Sequence, residues 1–198
     1  MKRTAQFDRT TRDIINAFME CLDEKSFEKI VVSDILGKAM INRSTFYAHF
    51  ADKYAIVELL QDRYISELTD LVKPFKDERD INFIQIDELM ENYFLKNRIT
   101  LRKLIKIRTE HMDFVSEMKT VFRDYCKSIF QALTELEASM VAGVFVDFFI
   151  YYVESDETSR DFSKRLYTST NKTALALFGI KPSKANADEL ADFIKSHH

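Results

Sequence analysis

Residues 31–60 read VVSDILGKAMINRSTFYAHFADKYAIVELL, and the run MINRSTFYAHF inside it, Met40 to Phe50, sets the reading of the whole chain. It packs two phenylalanines, a tyrosine and a histidine around Asn, Arg, Ser and Thr. From Ile35 to Ala51 there are Lys38, Arg43 and His49 but no Asp or Glu, in a chain with 32 acidic and 29 basic residues. A window of 17 residues without a carboxylate marks a surface on which negative charge would interfere.

The local signals on either side are helical. In TRDIINAFMECLDEKSF, Ile14, Phe18, Cys21 and Leu22 fall on one face of a helix. SDILGKAM gives a second, short helix with Ser33 and Asp34 near its start. Asn42 offers an N-cap, because its side-chain oxygen can accept an unpaired N–H of the first turn. It opens a third short helix, anchored by Phe46 and Phe50, with Arg43, Ser44, Thr45, Tyr47 and His49 turned outward. A long fourth helix restarts at Asp52 as N-cap and runs until Pro74 stops it.

Two short helices joined by a tight turn, the second polar and cation-bearing on its outer side, form a helix-turn-helix. That arrangement places the N-terminal part of the second helix in the DNA major groove. Arg43 can donate a bidentate pair to guanine O6 and N7, and Ser44 and Thr45 can reach base edges or phosphates. Tyr47 and His49 can bond phosphate oxygens, with Asn42 beside them, and Lys53 adds a cation at the next helix start. An ordinary surface turn between amphipathic helices fits the same residues and stays open at this point.

The same stretch resembles the N-terminal DNA-binding signature of the tetracycline-repressor (TetR/AcrR) regulators. The matching positions are Ile35, Ala39, Ile41, Thr45, Phe46, Tyr47, His49, Phe50 and Lys53. The likeness covers about residues 8–60; beyond them only size and helical content agree. Two positions depart from the family pattern. Val31 stands where a capping Thr is usual, which leaves Ser33 to supply a hydroxyl, and Met40 stands where Gly is usual in the turn. Gly37, inside the second helix, leaves room for a close neighbour.

The resemblance implies an all-α protein. A three-helix helix-turn-helix domain (residues 1–52) is linked through a long fourth helix to a helical C-terminal ligand-binding and dimerisation domain (residues 53–198). The function implied is a bacterial, cytoplasmic repressor that binds a palindromic double-stranded DNA operator as a homodimer and is released by a small-molecule effector. A coregulator or activator that works mainly through protein partners is the alternative, motivated by Val31 and Met40.

Composition agrees with all-α architecture: three glycines and two prolines in 198 residues leave little material for turns or strands. Net charge is −3, so contact with nucleic acid has to come from a local patch. The basic opening MKRTAQFD has no apolar run behind it, so no signal peptide is expected. The apolar run ASMVAGVFVDFFIYYV, residues 138–153, is shorter than the roughly 20 residues of a membrane span and carries Asp147, so no membrane is expected. Cys21 and Cys126 read as small buried hydrophobes.

After Pro74 the pattern predicts helices near residues 83–96, 98–109, 112–135, 137–154 and 159–178, with a further terminal one. The run 138–153 is apolar nearly all round, more than one core requires, so helices 137–154 and 159–178 are expected to pair with their copies about a two-fold axis. Gly143 and Ala142 suit a close helix approach. Ligand-pocket candidates are Tyr93, Arg108, His111, Tyr125, Asp147 and Tyr151, polar groups among aromatics that are individually more often plain core. There is no Gly-rich phosphate loop and no His/Cys cluster with metal spacing, so neither enzyme, cofactor nor metal is expected.

Overall fold

A computed structural model describes residues 2–73, 93, 95–129 and 133–155. The described helices are α1 (Lys2–Glu24), α2 (Val32–Ala39), α3 (Arg43–His49), α4 (Lys53–Val72), α5 (Lys96–Leu104), α6 (Phe114–Ile129) and α7 (Glu135–Glu154). A 3-10 turn, Phe27–Lys29, joins α1 to α2. The expected helix at 159–178 and the terminal one lie outside the described residues. Most of the expected helix at 83–96 does too.

Two compact units arise: residues 1–64 with 103–114, and residues 65–102 with 115–198. The core of the first is built by helix periodicity. Ile14, Ala17, Phe18 and Cys21 of α1 are buried, with Ile35 of α2, Phe46 of α3 and Ile56, Val57 and Leu60 of α4. Phe27 plugs the corner, its ring edge-on to Phe18 at 6.2 Å and to Tyr54 at 5.2 Å. Both cysteines are free and buried; burial raises both thiols, Cys126 to about 11. A thiol held in that range is unreactive.

The segment 103–114 is stitched onto α1 and α4. Lys103 donates to the Met19 carbonyl at 3.1 Å and pairs with Asp23 at 2.6 Å. Gln61, wholly buried, donates to the carbonyls of Leu104 at 3.2 Å and Ile107 at 2.9 Å. The helix expected over 98–109 therefore ends at Leu104. There the chain enters a turn in which the Thr109 hydroxyl accepts the N–H groups of His111 and Met112. A threonine oxygen that takes backbone donors competes with helix continuation.

The second unit corrects a further expectation. The helix expected over 112–135 is α6 alone, and a new helix, capped by Thr134, begins at Glu135. Thr134 Oγ1 accepts the Glu137 N–H at 3.3 Å, while the Glu137 carboxylate accepts the Thr134 N–H at 2.8 Å. This reciprocal capping box starts α7 two residues before the predicted position. At its far end, Arg98 donates to Tyr152 O at 2.9 Å and Arg102 donates to Val153 O at 2.7 Å and Ser155 O at 2.9 Å. Cations on the last carbonyls of a helix satisfy orphan acceptors and oppose its dipole.

α7 buries one stripe, Ala138, Ala142, Val146, Phe149 and Val153. Its other side exposes Leu136, Met140 and Tyr151. With 20 residues it exceeds the apolar run seen in the sequence, and by length and composition it is long and apolar enough to cross a membrane. Asp147 stands on its exposed side, 3.9 Å from Lys119.

Candidate nucleic-acid interface

The helix-turn-helix is set by three end contacts. α2 lacks a side-chain cap at Val31, and Ser33 does not replace it. Instead the Asp34 carboxylate accepts the Val31 N–H at 2.8 Å and pairs with Lys25 at 2.7 Å. The Lys25 contact, then the Val31 N–H, hold the Asp34 carboxyl below its ordinary range. The signal in the sequence was an acid three residues after the cap position, half of a capping box.

α2 ends at Met40, which adopts the left-handed conformation at φ 52°, ψ 42°. Its N–H and that of Ile41 both return to the Leu36 carbonyl. This closes the helix as a glycine would, at a cost of about 1–2 kcal/mol for a residue with a Cβ. The turn thus accepts the strained backbone at Met40. Gly37 stands beside nothing: a Cβ built there meets no atom within 4 Å, so the expected close neighbour is absent among the described residues.

α3 opens on Asn42, whose Oδ1 accepts the Thr45 N–H at 2.8 Å, as its sequence position predicts. The same oxygen takes the hydroxyls of Ser44 at 2.7 Å and Thr45 at 2.9 Å. Phe46 and Phe50 face the core, while Arg43, Ser44 and Tyr47 are exposed. No salt bridge among the described residues holds Arg43. The first turn of α3 holds no acid.

Two of the expected DNA contacts are engaged inside the protein. His49 Nδ1 lies 2.8 Å from Thr11 Oγ1, and its ring stacks on Phe7 at 3.9 Å, which ties α3 to α1. Lys53 donates to the carbonyls of Phe27, Glu28 and Ile30 at 2.7, 3.3 and 2.9 Å, and its ammonium lies 4.4 Å over the Phe27 ring. Its three hydrogens cap the 3-10 turn. The tie runs over more than 20 residues of chain, so no local pattern could reveal it.

The pocket candidates divide. Arg108 and His111 line one open cleft of about 740 Å³ in the first unit, with Asp52, Tyr54, Glu58 and Glu110. Arg108 also pairs with Asp113 at 3.3 Å. Tyr93, Tyr125, Asp147 and Tyr151 belong to the second unit. Asp147 is an exposed helix-face carboxylate, its side chain 73% accessible.

No protein-family model matches the chain. Among curated proteins it is similar to the A-factor receptor protein of Streptomyces griseus, 32% identical over 66 residues, which are 33% of this chain and 24% of that protein. It is 25% identical to the Transposon Tn10 TetC protein of Escherichia coli over 108 residues, covering 51% and 54% of the two chains. The chain thus spans about half or less of the length of these relatives. Solved structures align over nearly all of it. A TetR transcriptional regulator from Streptococcus agalactiae superposes with a TM-score of 0.61 at 21% identity, covering 86% of this chain and 98% of that one. A TetR-family regulator from Syntrophomonas wolfei gives 0.67 at 14% identity, covering 88% and 99%. The fold is that of the TetR-family transcriptional regulators, as the helix-turn-helix resemblance implied.

Proposed function

We propose that the protein is a sequence-specific DNA-binding transcriptional regulator, a repressor that binds a palindromic operator as a dimer and leaves it on binding a small effector. The observation that carries this reading is the outer side of α3. Arg43 and Tyr47 stand exposed on a helix whose start is fixed by Asn42 and which bears no carboxylate. Such a surface accepts phosphates and base edges and repels neither.

The dimer is supported by the exposed Leu136, Met140 and Tyr151 on α7, apolar surface that a second copy would cover. A two-fold axis would set two recognition helices about 34 Å apart, in successive major grooves. The effector acts by population shift, favouring a dimer whose recognition helices are misplaced for DNA. The cleft beside Arg108 and His111 is a place for it, against the first turn of α4 and close in sequence to α3.

Activation is the second reading. The chain is also similar, with a TM-score of 0.52 at 20% identity, to the dihydroxyacetone kinase operon activator DhaS. The two readings share DNA binding or part on it: a gel shift with the DNA upstream of the gene, using purified protein alone, separates autonomous binding from action through a protein partner.

A further inference from the structure

α2 pairs its charges with residues on or just beyond α1 and leaves one uncharged stripe on its other side. Asp34 pairs with Lys25 at 2.7 Å, and Lys38 pairs with Glu24 at 2.6 Å and Glu20 at 3.8 Å, all on or just beyond α1. The outward positions Ser33, Gly37 and Met40 follow at helical spacing and are all exposed. A large ligand surface could approach this stripe without meeting a carboxylate, and at Gly37 it meets bare backbone.

Met40 is the one large side chain in the stripe. It is 93% exposed, and it is the single non-glycine residue at positive φ among the described residues. The strain therefore has no return in packing, although glycine would relieve it. A strained residue whose side chain packs on nothing points to a role outside the fold. Met40 lies two residues before the Asn42 cap and three before Arg43, at the end of α3 that enters the major groove in helix-turn-helix docking. The one apolar feature that base edges show in that groove is the C5-methyl of thymine. Methionine, long, flexible and polarizable, suits such a contact.

We propose that Met40 is a specificity-determining residue that packs on a thymine methyl in each operator half-site, beside the base read by Arg43. The inference rests on the DNA-binding reading above. The test begins with selection of a bound duplex from a randomised DNA library by the full-length protein. Affinity is then measured by fluorescence anisotropy on duplexes in which each thymine is replaced in turn by uracil, which lacks only the methyl.

The wild type is expected to lose about four-fold in affinity at one thymine per half-site, the worth of one buried carbon group. Met40→Gly and Met40→Ala are expected to bind the thymine and uracil duplexes equally, while Met40→Gly melts at a higher temperature than the wild type. Indifference of the wild type to every uracil overturns the inference. So does a uracil penalty that survives in both variants, or a loss in the variants that is the same on both duplexes with no uracil penalty in the wild type. If no duplex is selected at all, the DNA-binding reading fails first and takes this inference with it.

Discussion

The Lys53 ammonium stands 2.7 Å from the carbonyl oxygen of Phe27 and 4.4 Å above its ring. One side chain thus closes the exit of the 3-10 turn and fixes the start of α4 against the segment that joins α1 to α2. A charged hydrogen-bond donor to several carbonyls contributes about 2 kcal/mol. Lys53→Met keeps the stem and removes the donor, and is expected to lower the melting temperature by several degrees. The measurement is a thermal melt followed by circular dichroism. An unchanged melt would mean that the amine is free to serve DNA instead.

Helix α3 was legible because its determinants are local. Asn42, Thr45, Phe46 and Phe50 lie within nine residues, and the cap and anchors act over one or two turns. The tie made by Lys53 is not legible in the sequence because its acceptors lie on a segment far back in the chain. The contacts of His49 are hidden for the same reason, its partners Phe7 and Thr11 being on α1. In the C-terminal half the apolar spacing runs on through Leu104 and Ile107, and again past Ile129. The first helix ends at Leu104, ahead of the turn organised by the Thr109 hydroxyl, and Thr134 caps the start of the next. The pocket candidates were chosen by residue type alone, and nothing local could say that Arg108 and His111 share a cleft while Asp147 faces outward.

Two exposed caps give the fold a dependence on acid. The Asp34 carboxyl is lowered by Lys25 and the Val31 N–H, and the Glu137 carboxyl is lowered by the backbone N–H and then the hydroxyl of Thr134. A depressed folded pKa means the folded state holds the proton less readily than the unfolded one. The stability added is present above the unfolded values, about 4, and is lost as pH falls through the folded values. Asp34→Asn with Glu137→Gln is expected to melt below the wild type at pH 7. The two melting curves should converge at about pH 3 or lower. A gap that persists at that pH would show that the contribution is not one of charge.

In the proposed dimer the exposed side of α7 is the interface. Met140→Lys with Tyr151→Lys places two cations on the stripe that holds Leu136 at 70% exposure, away from the buried Ala138–Val153 side. Sedimentation velocity is expected to show a dimer for the wild type and a monomer with unchanged helicity for the double variant. A wild-type monomer at micromolar concentration would remove the two-fold arrangement and the palindromic operator with it.

The central claim is that α3 reads DNA through Arg43 and Tyr47. The direct measurement is fluorescence anisotropy of a selected duplex with wild type, Arg43→Ala and Tyr47→Ala, each checked for an unchanged melt. Loss of one bidentate base contact costs about 1–3 kcal/mol. Arg43→Ala is therefore expected to weaken binding about ten-fold or more and to relax one base position, while Tyr47→Ala weakens all sequences alike. Binding by both folded variants equal to that of the wild type would contradict the reading.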